Sequence, residues 1–325
     1  MRSLPAAPRP LLDALALGPA LLDRARAERT PWIAASVVAG PAIVLGAAQR
    51  AGRVVDLAAC ARDDVVVLRR ATTGAAAHLG ARAVVWTLAL PHVAALAPDA
   101  GARTALNRNV RGFLKGFTRA GAIAHYFGRE WISVRHRPAA LLGLEVAADG
   151  AVLIEVWSSH DTPPALPAAL ATDDERAIDR FLGKVPAALA EVLPAGLAPE
   201  ALARVVLEAV ALHAASPLDE GEPLIDLPRE RFRPIEDPLD PLPPSHHPAA
   251  LARVPIGWVE AAAPPGAGPG DAAPVWVGGD VLTGRWILDE IGRGAAPLSL
   301  DPTAVALEGA TVADLVAVAQ RARGG

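Results

Sequence analysis

The sequence predicts an α+β fold: a large domain on a mixed β-sheet at 1–215, a proline-rich acidic linker at 216–255, and a small α+β domain at 256–325. Three observations lead there. Short apolar runs and helical stretches follow one another without the strict βαβ alternation of a parallel sheet. The 31 prolines and 28 glycines among 325 residues imply many short elements joined by loops. Ten of those prolines fall between Ser216 and Pro255, among Asp219, Glu220, Glu222, Glu236, Asp237 and Asp240, where no apolar period runs.

The elements follow in order. Leu11 to Arg29 is rich in leucine and alanine and reads as a helix interrupted near Gly18 and Pro19. Pro31 to Ala48 is almost wholly apolar and near membrane-spanning length. Gly40 and Pro41 break it, so it reads as a pair of buried strands, Trp32 to Val38 and Ala42 to Gly46. Val54 to Arg62 places Val54, Leu57, Ala58 and Ala61 on one face of a short helix. The valine-rich run Val65 to Leu68 is a buried strand that ends in Arg69 and Arg70, and after the loop Ala71 to Gly80 a further strand, Ala83 to Leu90, is closed by Pro91. Asn107 to Ala120 is an amphipathic helix on Val110, Phe113, Leu114 and Phe117. Glu130 to Val134, Ala140 to Val146 and Ala151 to Trp157 form a meander, with a turn at Ala148, Asp149 and Gly150. Thr172 to Glu175 opens a capped helix, and Pro199 to Ala214 is another. Past the linker, Ile256 to Val259 pairs with Val275 to Val277, and Thr283 to Ile291 and Thr311 to Arg321 are helices, the last with Asp314 three places after its cap.

Composition narrows the functions. Lysine plus arginine (31) against aspartate plus glutamate (35) gives a net charge of -4, which supplies no basic field for nucleic acid. Only Lys115 and Lys184 are lysines, so arginine carries nearly all the positive charge. Cys60 is the single cysteine, which excludes a disulfide framework or a multi-cysteine metal site and fits a reducing cytoplasm. No signal-peptide core lies between Met1 and Pro10, and no membrane partner is expected.

The most informative stretch is Val65 to Gly74, reading VVVLRRATTG. A strand that ends in paired guanidiniums and passes into a loop of Thr, Gly and Ala brings cations and free backbone N–H groups together, which suits a phosphate or carboxylate. A solvated strand end followed by a flexible loop reads the same residues without a ligand.

The order of residues here resembles the lipoate-protein ligase, octanoyltransferase and biotin-ligase superfamily, whose adenylate-binding loop runs R-R-x-T-G-G-G-A-V with a histidine close behind. Arg69, Arg70, Ala71, Thr72, Thr73, Gly74, Ala75, Ala76 and Ala77 stand in that order, with His78 next. Upstream, Ile43 to Gln49 resembles the family's strand ending L-G-x-x-Q, with Gly46 and Gln49 in the matching places. The resemblance covers about Leu11 to Ala214, and Val275 to Asp280 is similar to part of the accessory domain of some lipoate ligases. It implies a mixed-sheet ligase-like domain and activation of lipoate or octanoate with ATP and Mg. The acyl group would then pass to a lysine of a lipoyl or biotinyl carrier domain. Arg69, Arg70, Thr72 and the Gly74 region would hold the adenylate, and Ala75 to Ala77 would border the acyl chain.

Departures coincide at the places the resemblance marks as catalytic. The family's G-K-K-I-S-G segment falls on Gly128 to Ala140, and its lysine on Arg137 or, with a one-residue shift, on Pro138. Arg137 keeps the charge but not the geometry of an ammonium. The glycine triplet has become Thr73, Gly74 and Ala75, and the family's N-D pair has become Glu130 and Trp131. Two function classes follow: a ligase or acyltransferase, or a catalytically inactive relative that acts as a binding or scaffold protein.

Other constellations are weaker. Cys60 reads as a structural thiol, away from the nucleophile position of cysteine-dependent octanoyltransferases. His246 and His247 are imaginable metal ligands in a solvated linker. Ser158, Ser159, His160 and Asp161 close a strand as a capped turn and lie too near one another for a triad. Arg108, Arg111, Lys115 and Arg119 form a basic stripe, either a solvated helix face or a docking face for an acidic carrier.

Overall fold

The computed structural model describes residues 1–222, 224, 226–266, 273–294 and 307–324. Trp32–Val38, Ala83–Leu90 and Val152–Ser159 are buried from end to end, as continuous apolar runs require. They sit at the centre of a nine-stranded sheet. Its order is Asp219–Glu220, Arg2–Ser3, Trp32–Val38, Ala83–Leu90, Val152–Ser159, Arg137–Val146, Trp131–Val134 and Ala124–Tyr126, and Ala7–Pro8 also pairs with Trp32–Val38. The expected meander is present, in antiparallel register with Val156 opposite Leu142 and Ile132 opposite Ala140.

Both faces are covered. The helices Arg111–Arg119 and Pro199–His213 bury Phe113, Phe117, Val206 and Val210 against Ile132, Leu142 and Val156. On the opposite face lie the helix Leu11–Glu28 and a second sheet of three strands, ordered Val66–Arg69, Ala42–Leu45, Ala77–Leu79. Each sheet therefore has its alternate side chains in a dry core, and the layered α+β class follows.

Four expectations change in detail. The first helix runs unbroken through Pro19. It packs so closely that a Cβ on Gly18 would come within 2.8 Å of the Glu155 Oε1, and this packing overrides the local breaking tendency. Trp32–Val38 and Ala42–Leu45 do not pair, because the turn at Gly40 and Pro41 carries the chain from the large sheet to the small one. The helix expected from Asn107 is divided into Ala105–Asn109 and Arg111–Arg119. The C-terminal unit begins earlier than Ile256: His247–Val254 forms a hairpin with Gly257–Ala263, which pairs in turn with Trp276–Gly279. With the helices Arg285–Gly292 and Val312–Gly324 these strands enclose a separate core around Val259, Ile287, Leu315 and Val318. Thr311 and Asp314 cap the last helix reciprocally, with Thr311 N–H to Asp314 Oδ2 at 2.8 Å and Asp314 N–H to Thr311 Oγ1 at 3.1 Å.

The proline-rich segment is a strap along the large domain, apart from Pro223 and Ile225, which lie outside the described residues. Asp219–Glu220 extends the large sheet, Phe232 is buried beside the first helix, and the Ile235 N–H donates to the Val67 carbonyl at 2.9 Å. Asp240 accepts from Arg69 Nε at 2.9 Å and Nη2 at 2.6 Å, while its carbonyl accepts from the Ala51 N–H at 2.9 Å. A proline-rich chain has no helical period, yet it orders here because prolines already restrict its unfolded state and the large domain supplies the partners. Removing 216–255 is therefore expected to unfold the large domain, contrary to a scaffold tether that can be cut away. A milder test is Asp240→Ala, which leaves the Arg69 charge without its carboxylate and is expected to lower stability by about 1–3 kcal/mol in urea unfolding.

Candidate functional site

The small sheet builds the site. Val66–Arg69 runs parallel to Ala42–Leu45, with Arg69 opposite Leu45, and Ala77–Leu79 returns antiparallel on the other side. The connection from Arg70 to Ala76 must therefore cross the end of Ala42–Leu45, and it does so over Gly46. There the Ala47 N–H donates to the Thr72 carbonyl at 2.8 Å, and the Gly46 N–H donates to Gln49 Oε1 at 2.8 Å. The two sequence motifs thus form one hydrogen-bonded unit.

Arg70 lies under this loop at 1% exposure. Its Nη2 donates to the Ala75 carbonyl at 2.9 Å and the Thr73 carbonyl at 3.3 Å, its Nη1 to the Val44 carbonyl at 3.3 Å, and its Nε to Thr72 Oγ1 at 3.0 Å. Thr72 in turn donates its hydroxyl hydrogen to a bond with Glu155 Oε2. Burial pulls the Arg70 pKa down to about 10, with the Glu155 charge opposing, and burial pushes the Glu155 carboxyl up. Gly143 makes room for the pair, since a Cβ there would stand 2.9 Å from Arg70 Nε. Gly74 is the one member of the former glycine triplet with a left-handed backbone, φ 113°, which explains why it remains glycine.

Arg69 turns the other way. Besides Asp240, its Nη1 donates to the carbonyls of Gly46 at 2.7 Å and Gln49 at 2.6 Å, and burial lowers its pKa. Neither arginine of the pair is open to a ligand. Ala75 and Ala77 are fully buried, and His78 is a strand residue whose pKa burial lowers. Ala76 lines a cavity of about 380 Å³, whose lining includes Leu166, Glu175, Arg180, Phe181 and Lys184.

The residue expected to replace the family lysine is elsewhere. Register places Arg137 opposite Val134, toward the helix-covered face, and Pro138 opposite Ser133. Arg137 donates to the carbonyls of Val185 at 3.2 Å and Pro186 at 2.8 Å, and it pairs with Glu191 at 2.8 Å. It does not meet the loop.

The C-terminal unit closes the other side. Thr73 Oγ1 lies 2.7 Å from the Leu144 carbonyl and 2.8 Å from that of Thr283, and it accepts from the Thr283 N–H at 2.8 Å. Gln49 Nε2 donates to Asp280 Oδ1 at 2.5 Å. Asp280 Oδ2 accepts from the Trp258 N–H at 2.9 Å and stands 3.4 Å from Arg180 Nη2. Arg180 also grips Glu175 at 2.8 Å and lies 3.7 Å from Glu130, which is fully buried at the place of the family's N-D pair. Burial alone would lower the Arg180 pKa, but Asp280, Glu175 and Glu130 outweigh it and raise it. Sequence reasoning missed Asp280, Arg180, Glu175 and Glu155. Glu155 and Asp280 bond to Thr72 and Gln49, 83 and 231 residues away, and the Glu175–Arg180 pair, though local, gains its place only from Glu130 and Asp280.

Between the loop and the C-terminal unit is a cleft of about 600 Å³ lined by Ala47, Ala48, Ala71, Glu145, Arg285 and Trp286, among others. Burial pushes the Glu145 carboxyl up to about 7, against the pull of Arg285, whose N–H donates to it at 3.2 Å. The remaining candidates stay outside these cavities. Cys60 is buried and its thiol pKa is raised by burial. Ser159 Oγ donates to Asp161 at 3.0 Å within a turn. Among the described residues no cluster of three or more His, Cys, Asp or Glu side chains could hold a metal ion, and no helix is long and apolar enough to cross a membrane.

No family model and no curated protein matches the sequence. Solved structures do. The Plasmodium falciparum ligase LipL1 in complex with lipoate superposes with a TM-score of 0.61 at 13% identity, covering 82% of each chain. The fold is that of lipoate-protein ligases. A lipoate-protein ligase A bound with ATP matches at TM-score 0.56 and 14% identity over 71% of this chain and 91% of its own. The bipartite Thermoplasma acidophilum lipoate ligase, solved as part of a system with its E2 lipoyl domain, matches at 0.55 and 15% over 71% and 90%. Within this fold, Arg69, Arg70, Thr73 and Gln49 hold the protein's own loops and C-terminal unit.

Two measurements test this geometry. Arg70→Met removes the cation nearest Glu155 in the core and takes the guanidinium donors from three carbonyls. The expected loss is about 3–5 kcal/mol, with Arg70→Lys recovering only part because an ammonium lacks the fork. For Glu145, the folded carboxyl keeps its proton to about pH 7 while the unfolded one loses it near pH 4.3, so stability falls as pH rises through that window. The unfolding free energy of Glu145→Gln in urea is expected to gain on that of the unmodified chain by up to about 3–4 kcal/mol between pH 4 and pH 8.

Proposed function

We propose that this chain is a ligase-fold protein that holds an acyl carboxylate, lipoate or octanoate in class, without activating or transferring it. The observation behind this reading is the engagement of Arg70 and Arg137, each already committed to carbonyls and a side chain of the fold. An acyl-phosphate forming beside the loop needs donors aimed at its developing charge, and neither arginine aims one there: Arg70 is buried beneath the loop and Arg137 does not meet it. The residues therefore do not fit an adenylate, and no step through ATP and Mg is derived. The cavity beside Ala76 suits the acyl group instead: Ala76, Leu166 and Phe181 supply apolar lining, and Lys184 supplies a charge without a salt-bridge partner among the described residues. A lipoyl carrier domain, the partner of the archaeal neighbour, becomes a docking partner and not an acceptor.

The test combines two readouts on the full chain. Incubation with ATP, Mg, lipoate or octanoate and an apo lipoyl domain is expected to leave the intact mass of that domain unchanged. Calorimetry with lipoate is expected to give saturable binding that Lys184→Ala weakens about tenfold. An acyl mass on the carrier would overturn the non-catalytic half of the reading, and absence of binding heat the other half.

A further inference from the structure

The helices Arg111–Arg119 and Pro199–His213 cover the face of the large sheet opposite the Arg69–Ala77 loop. Between them and the edge strand Ala124–Tyr126 runs a groove of about 400 Å³, at the small end of ligand sites, which span about 300–1,000 Å³. Leu114, Ala124 and Ala209 floor it, and Leu212, 63% exposed, forms one wall. Its polar rim is Lys115, Arg119 and His213, with Thr118 between.

The rim presents only cations and donors around the ring of His213. Lys115 Nζ stands 2.9 Å from His213 Nδ1. An ammonium has no lone pair, so it donates and Nδ1 accepts, which puts the ring proton on Nε2. Burial, then Lys115 and Arg111, lower the His213 pKa. Arg108, the next cation along, is already paired with Asp99 at 3.1 Å, whereas Arg111, Lys115 and Arg119 make no salt bridge among the described residues.

We propose that this groove binds an unbranched fatty carboxylate, its tail along Leu114, Ala209 and Leu212 and its carboxylate among Lys115, Arg119 and His213. A tail laid there removes exposed leucine surface from water, and the carboxylate meets two cations and an Nε2–H donor that lack an acid of their own. The site is separate from the Ala76 cavity and stands whether or not that cavity holds an acyl group.

The experiment is titration of the full chain with decanoate, decanol and acetate, followed by calorimetry and by the imidazole resonances of His213. Decanoate is expected to bind at least about tenfold more tightly than decanol or acetate, and each methylene removed toward hexanoate to weaken binding about fourfold. The His213 ring is expected to titrate at higher pH with decanoate present, because a nearby carboxylate favours its charged form. Lys115→Glu with Arg119→Glu, and separately Leu212→Asp, alter exposed positions and are expected to abolish binding with the circular dichroism unchanged. No decanoate binding, equal binding of decanol, or binding that survives these variants and disappears in Lys184→Ala would each overturn the proposal.

Discussion

A guanidinium with 1% exposure must find partners inside the protein for its donors, and Arg70 finds them in the Val44, Thr73 and Ala75 carbonyls and the Thr72 hydroxyl. Those four groups belong to the strand and the loop that surround it, so one side chain sets the path of the whole turn. Thr72 extends the network to Glu155 on the central strand of the large sheet, which joins the small sheet to the large one. An uncompensated charge of either sign in that place would cost several kcal/mol, so each partner requires the other. The loop is held from beneath, and a ligand that needed Arg70 would have to unmake its support.

The upper side of the loop is held by similar chemistry. Asp280 receives Gln49 and Trp258 and stands beside Arg180, while Thr73 meets the backbone of Thr283. Gln49 and Glu130 thus serve a junction between the two units. Buried ion pairs of this kind give weak net stabilisation against a well-packed apolar surface, but they permit only one registration of the partners. Burial raises the Glu175 carboxyl while Arg180 pulls it down, so desolvation and pairing oppose one another there.

Much of this architecture was legible in the sequence, because burial leaves a pattern. The apolar runs at Trp32, Ala83 and Val152 gave strands, and Thr311 with Asp314 gave a capped helix. The ordered motifs also gave the ligase-like fold that the solved structures share. The direction of a side chain is another matter. Arg69 and Arg70 are neighbours in one motif, yet strand alternation sends one to Asp240 and the other beneath the loop. The direction of Arg137, away from the loop, was not legible either, since the shift of register between Pro138 and Ala140 is set by pairing with Trp131–Val134. The strap was unreadable for a further reason: its order comes from partners such as Val67 and Arg69, more than a hundred residues away.

The near absence of lysine bears on function through geometry as well as charge. A guanidinium offers five donors in a plane, so an arginine at a crowded place is readily captured by several carbonyls and carboxylates at once. Arg69, Arg70, Arg137 and Arg180 all show this capture. An ammonium on a flexible stem is harder to fix and keeps its charge available to something that arrives later. Both lysines of the chain line a cavity, Lys184 beside Ala76 and Lys115 in the helix groove, and neither is in a salt bridge among the described residues. The contrast is one of place as well as chemistry: the captured Arg70 and Arg180 lie at buried junctions, whereas Lys115, beside the equally unpaired Arg119, and Lys184 lie at cavity rims.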